Sequence, residues 1–209
     1  MRYLRSFLFA ALLALPVSAA AAPLDEVKES FSAYKSAILT SDGAAAKRLV
    51  TQESKDYFRG LADHALTLDR AGLQKIHLSD RLYAMLLRHN LDRARLESMT
   101  GGDVVAYAVE QGWIGREGAE QLELGAYKLD GDSASGTILQ PDGQESTFKM
   151  EFTKVGGRWL LELDELMMLT RIAFEYSAKQ TGLSDDDFVL LMLEYGSGRK
   201  PEPDIWSPP

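Results

Sequence analysis

His64, His77 and His89 are the only imidazoles in a 209-residue chain that contains no cysteine. An imidazole titrates near neutral pH, so a pocket that held one could use it as a general acid or base. His64 and His89 fall on or beside apolar helix faces, which suits a shared pocket. It equally suits a hydrogen-bonded core histidine or, for His89, a cation in the last helical turn. Spacings of 13 and 12 residues separate the three, and no i, i+4 pair or HExxH is present. They therefore do not form a zinc-binding pattern. Asp185, Asp186 and Asp187 lack the EF-hand pattern and read as first-turn acids that complement a helix dipole. No G-x-S-x-G surrounds a serine, and Gly101, Gly102 and Gly115 do not make a phosphate loop. Without cysteine there is no thiol catalysis, Cys-ligated zinc or iron–sulfur cluster. No catalytic residue, metal or cofactor is assigned.

The aromatic residues point to binding chemistry instead. Tyr57, Tyr83, Tyr107 and Trp113 come from the helical half, and Phe148, Phe152 and Trp159 from the strands. Together they can fill a helix-on-sheet core or leave an apolar pocket between the two layers. The pocket candidates are His64, Tyr83, His89, Tyr107 and Trp113, with Arg81 and Arg88 as further polar contacts. Arg88 also reads as a solvated charge at a helix end. A second feature is the apolar run from Phe188 to Leu193. A helix that is apolar all round must be covered on every side. Phe188, Leu191, Met192 and Tyr195 form one stripe, of which Phe188, Leu191 and Met192 are expected to dock on the core. Val189, Leu190 and Leu193 lie off it and should meet the preceding helix, the tail with Trp206, or a second protein. Val189, Leu190, Leu193 and Trp206 are therefore the interface candidates.

The elements that carry these residues change character once. Leu24, Val27, Phe31, Tyr34 and Ile38 predict an opening helix that stops at Thr40-Ser41-Asp42-Gly43. A short helix over 44–50 follows, and Thr51 or Ser54 caps the next, which ends near 69–72. Ser79 reads as the N-cap of a helix carrying Leu82, Met85, Leu86 and His89. Shorter helices follow near 91–99 and 104–111. After residue 120 the period becomes that of strands. Asp130-Gly131, Pro141-Asp142-Gly143 and Gly156-Gly157 are turn signals dividing four strands at 121–129, 133–140, 144–154 and 158–164. A bulge is expected near Gly125, and Trp159 belongs to the buried face. Two helices return: one with the stripe Leu166, Leu169, Ile172 and Tyr176, ended by Gly182, and one capped by Ser184. The predicted class is α+β: a helical N-terminal half packed on a four-stranded antiparallel meander, then two C-terminal helices.

Arg2 and Arg5, the apolar run Phe7–Val17 and the small residues up to Ala22 read as a secretory signal peptide over 1–21. Cleavage is expected after Ala19, Ala20 or Ala21. What remains is one domain over 22–195 and a Pro-rich tail over 196–209, exported to the periplasm or secreted, with no membrane span after cleavage. Net charge is −8, and losing Arg2 and Arg5 makes it more negative. Such a surface repels nucleic acid.

The opening helix running into Thr40-Ser41-Asp42-Gly43 and the 44–50 helix, followed by a sheet ending in Gly156-Gly157-Arg158-Trp159, resembles the NTF2-like (cystatin-fold cone) superfamily, most closely secreted bacterial members. This chain adds helices over 70–112 and two after the last strand. The resemblance implies a cone-shaped sheet with a pocket, used by family enzymes such as ketosteroid isomerases and scytalone dehydratases through acid, Tyr or His residues. No residue here matches those motifs, so no catalytic role carries over. The expected function is a non-catalytic interaction domain, meeting a protein partner or second copy through the C-terminal helix. The alternatives are a carrier of a small apolar ligand or, third, an isomerase, dehydratase or hydrolase.

Overall fold

The computed structural model describes residues 21–114 and 116–209. Apart from Ala21, the signal-peptide segment lies outside the described residues. The opening helix α1 (Ala21–Leu39) buries Val27, Phe31, Tyr34 and Ile38, the face predicted for it. Asp42 then caps α2 (Gly43–Leu49) by accepting from the Ala45 N–H at 2.8 Å. Thr51 caps α3 (Gln52–Thr67) by accepting from the Ser54 N–H at 3.3 Å. The Thr51 N–H in turn donates to the Leu161 carbonyl at 2.9 Å, stitching the helical half to the last strand.

Packing overrides local signals at two places. Asp69 is not the end of a helix but the cap of an extra turn, α4 (Arg70–Leu73), whose Leu73 is fully buried. Ser79 does not cap α5 (Leu78–Asn90). His77 is the N-cap and makes no side-chain cap bond, while Ser79 is buried in the first turn beside Asp80. Burial of Leu78 in the core draws the helix start back past the serine. Three short-to-medium helices follow: α6 (Arg93–Ser98), capped by Asp92; α7 (Gly101–Glu110); and α8 (Arg116–Gln121). The last ends at Gln121, and the first strand begins three residues later than predicted, at Leu124.

The sheet is an antiparallel meander in the order β1 (Leu124–Asp130), β2 (Ser133–Leu139), β3 (Glu145–Val155), β4 (Arg158–Glu162). Its register slips between Leu124 and Tyr127, the bulge expected near Gly125, and again between Thr137 and Leu139. Ala134, Phe152 and Leu161 stand side by side across three strands and are all buried. With Met150 and Trp159 they form the inner face. Helix α1 lies against it, its Ser30 hydroxyl donating to the Trp159 carbonyl at 2.8 Å. The architecture is α+β, with helices before and after the sheet.

Helices α9 (Asp164–Thr181) and α10 (Asp185–Ser197) are separated by Gly182, at φ 69°, and Ser184, which accepts from the Asp187 N–H at 3.2 Å. The capping residues were predicted, but the faces are turned. On α9, Met167 and Ala178 are buried, whereas Ile172 and Tyr176 are exposed. On α10, Val189 and Leu193 are fully buried, while Leu191, expected to dock on the core, is 51% exposed and Tyr195, on the same stripe, is 83% exposed. Both faces of this helix are apolar, so periodicity cannot choose between them. Asp186 does. It lies on the Val189–Leu193 face and pairs with the buried Arg81 guanidinium at 2.9 Å, turning that face toward α5. Phe188 is still covered, by Phe174 of α9 with ring centroids 4.9 Å apart.

Candidate functional site

One long cavity of about 810 Å³ opens among the helices. Helix α5 contributes Ser79, Leu82, Tyr83 and Leu86, a run at i, i+3, i+4 and i+7 that forms one wall. Helix α9 forms the opposite wall with Leu166, Leu169, Ala173 and Phe174. Tyr34 and Ile38 of α1 and Met192 and Tyr195 of α10 also line it. The segment 111–114, with Ala119 and Leu122, completes the lining. The size falls in the ~300–1,000 Å³ range of small-molecule sites.

This is not the pocket between helices and sheet that the aromatic pattern suggested. No residue of a strand lines it. On the inner face of the sheet, Met150, Phe152, Trp159 and Leu161 are at most 4% exposed. The sequence-derived pocket residues divide accordingly. Tyr83 and Trp113 line the cavity. Tyr107 supports it from behind, packing edge-on to Trp113 with centroids 5.3 Å apart. His64 and His89 line neither this cavity nor the smaller one described below. Nδ1 of His64 and Nε2 of His89 are buried without a hydrogen-bond partner among the described residues. Burial, with Arg199 nearby, holds the His89 imidazole below its usual pKa, which disfavours the last-turn cation. Arg88 does not reach the cavity. Of the interface candidates, Val189 and Leu193 are inside the monomer, Leu190 is half-buried, and Trp206 is half-buried under Arg70, whose guanidinium sits 4.8 Å from the ring.

The cavity lining is mostly apolar, with Tyr34, Ser79, Tyr83, Gln111, Thr170, Ser177 and Tyr195 as its polar side chains. Among its described lining residues there is no charged side chain and no histidine. The hydroxyls of Thr170 and Ser177 donate back to the carbonyls of Leu166 and Ala173 on their own helix. The Tyr83 hydroxyl donates to the Trp113 carbonyl at 3.2 Å, and burial pushes its pKa up to about 12. Burial likewise raises Tyr34, helped by Tyr83 nearby. Both phenols are therefore neutral donors at pH 7. Such a site can bind and orient an uncharged molecule.

Tyr34, Leu82 and Leu86 were read only as core stripes. The one signal in the sequence was the width of the α5 stripe, which Tyr83 and Leu87 extend beyond what a single neighbour can cover.

A second, more polar cavity of about 580 Å³ lies where the start of α5 meets the end of α9, lined by residues 74–78, Asp80, Arg81, Glu175, Lys179 and Asp185 among others. Its buried charges are spent on structure. Asp80 accepts from the Tyr57 hydroxyl at 2.7 Å and from Arg171 Nη2 at 2.9 Å, fastening α9 to α5. Burial, then the bond to Asp80, raises the Tyr57 pKa. Arg81 and Arg70 grip Asp186 and hold α10. Among the described residues, no three His, Asp or Glu converge on a point that could hold a metal. No described helix is long and apolar enough to cross a membrane.

No protein-family model, curated protein or solved structure matches this chain.

Proposed function

We propose that this protein is a non-catalytic carrier that takes up a small apolar molecule in the cavity between α5 and α9. The observation that supports this reading is the cavity itself: about 810 Å³, apolar walls, and no charged group among its described lining residues. An apolar void of this size is costly when filled with ordered water and favourable when filled with an apolar guest. The basic start, the apolar run over 7–17 and the small residues after it support placing this carrier outside the cytoplasm, in the periplasm or medium.

A fluorescence titration with N-phenylnaphthylamine tests the reading. The expected result is saturable binding of one equivalent with a blue-shifted emission, abolished by Ala173→Trp, which fills the cavity from α9. A folded protein that does not bind the probe, or binds it equally well with Trp at position 173, overturns it.

A second reading, an interaction module, draws on Ile172, Tyr176, Leu191 and Tyr195, which stand outward on α9 and α10. Exposed apolar side chains in proximity mark contact surfaces. Concentration-dependent sedimentation that Ile172→Lys with Leu191→Lys abolishes would favour it over the carrier.

A further inference from the structure

Exposed apolar side chains are concentrated in one part of the fold. Of the seven large ones that stand exposed among the described residues, Val155 alone lies outside α9, α10 and their junction. Helix α9 carries Met168, Ile172 and Tyr176, which are 39%, 53% and 64% exposed. They recur at i, i+4 and i+8 and so form a single stripe. Only Met167 and Ala178 of the helix's 18 residues are buried, and both lie off this stripe. Glu165 precedes the stripe by three residues and Lys179 follows it by three, which keeps both on the same face. Among the described residues, the ion pairs of α9 are Arg171 with Asp80 and Glu175 with His77, so neither Glu165 nor Lys179 is matched. The acidic end is also crowded. Burial, with Glu162 and Glu165 nearby, holds Glu151 above its usual pKa against the pull of Lys149.

The stripe is symmetric in a way that a foreign partner would not require. Counted from Ile172, Met168 and Tyr176 stand four residues to either side, and Glu165 and Lys179 seven. Two copies of α9 laid antiparallel across a two-fold axis at Ile172 therefore set Ile172 on the partner's Ile172. They set Met168 on the partner's Tyr176, a thioether against an aromatic ring. They set Glu165 on the partner's Lys179. Each contact off the axis occurs twice, as an isologous interface demands. A parallel pairing would instead oppose acid to acid and base to base. We propose that the exposed face of α9 is where two copies of this chain associate, antiparallel about Ile172, with an apolar centre and an ion pair at each end. One helix pair is smaller than a standard interface, so the dimer is weak and depends on concentration. This pairing is independent of the carrier reading and supplies the interaction reading with its partner.

Sedimentation of the full chain in low salt tests the pairing. Wild type is expected to show a reversible monomer–dimer equilibrium. Glu165→Lys alone and Lys179→Glu alone each replace two opposite-charge contacts by two like-charge ones, and each should weaken the dimer at least about tenfold. An equimolar mixture of the two variants should recover wild-type affinity as a heterodimer, because its facing charges are again opposite. The absence of cysteine permits a second measurement that needs no charge variant. Ile172→Cys should cross-link to itself with a short bis-maleimide, whereas Val155→Cys, exposed elsewhere, should not. A wild type that stays monomeric, a mixture that stays monomeric, or cross-linking no better at position 172 than at position 155 overturns the pairing. All three leave the carrier reading as it was. Self-association that the charge variants keep but Leu191→Lys loses puts the contact on α10. That result overturns the α9 pairing while supporting an interaction module.

Discussion

Arg88 carries a cluster of interior hydrogen bonds out of proportion to its place in the sequence. It sits in the last turn of α5, where a basic residue normally faces solvent and complements the helix dipole. Here it is 8% exposed. Its Nε donates to the Ala65 carbonyl at 2.9 Å, Nη2 to Leu68 at 2.7 Å and Nη1 to Ile205 at 3.0 Å. Two of these acceptors belong to the end of α3, whose last carbonyls have no intrahelical partner. Burial lowers the arginine pKa, but a guanidinium remains charged throughout the accessible range. Arg88→Met keeps the apolar stem and removes every donor. Since each stranded buried acceptor costs ~1–3 kcal/mol, the variant should lose about 3 kcal/mol or more in a urea titration. A loss under ~1 kcal/mol would mean that solvent reaches those carbonyls. Arg88→Lys should not restore the loss, because an ammonium lacks the planar fork. None of this was visible in the sequence, where Arg88 reads as a solvated charge. Its acceptors lie 20 to 117 residues away, and no local pattern encodes a distance of that kind. Tyr34 was hidden for the opposite reason. Its spacing fits the core stripe, and only the fold shows that it lines a cavity.

Element boundaries were readable wherever a cap is local chemistry. Thr51, Gly182 and Ser184 all act as predicted, and the three hairpin turns fall at Gly131, Gly143 and Gly156-Gly157, all with positive φ. Helix α7 adds a capping box at Thr100–Asp103, one whose acid also meets a second element. The Asp103 carboxylate accepts from the Thr100 hydroxyl at 2.7 Å, the Thr100 N–H at 3.0 Å and Lys47 of α2 at 3.0 Å. The Thr100 hydroxyl, then Lys47, hold its pKa at about 2, against 3.8 unperturbed. A carboxylate depressed in the folded state stabilises above its unfolded pKa, and that contribution fades as pH falls toward the folded value. Asp103→Asn should therefore cost up to ~1 kcal/mol near neutral pH, since the pair is partly exposed. The gap between wild type and variant should shrink as pH falls from about 4 toward 2. Urea midpoints measured across that range check this. A gap constant down to about pH 3 would show that the carboxyl is not held low. Helix faces were harder to read than helix ends. The apolar run of α10 offers two faces of similar hydrophobicity, and an ion pair to Arg81 on another helix selects between them.

The order of helices, meander and helices was legible because turns and periodicity are written locally. The assembly of α1, α5, α9 and α10 around a cavity was not, because it joins segments up to about 160 residues apart. The same holds for the last segment of the chain, residues 199–209, which reads as a loose Pro-rich tail. In the structure it is fastened across the ends of α3 and α5. Arg199 donates to the His89 carbonyl, Ile205 is 7% exposed, and its carbonyl takes the proton of Arg88 Nη1. Trp206 lies against the Arg70 guanidinium, the same arginine that helps Arg81 hold Asp186. The strap thus reinforces the clamp on α10 without lining the cavity. A chain ending at Gly198 loses the burial of Ile205, worth ~1.5–3 kcal/mol, and the interior hydrogen bond from Arg88 to Ile205, ~1 kcal/mol, while the more exposed bonds from Arg199 to His89 and from Arg93 to Pro209 add less. For a domain of this size that corresponds to a melting temperature lower by about 5–15 °C. The cavity residues Met192 and Tyr195 precede the cut, so N-phenylnaphthylamine binding well below the new transition should match the full chain. An unchanged melting temperature would make the strap a passive passenger. Binding lost while the truncated chain is still folded would instead assign residues 199–209 to the site.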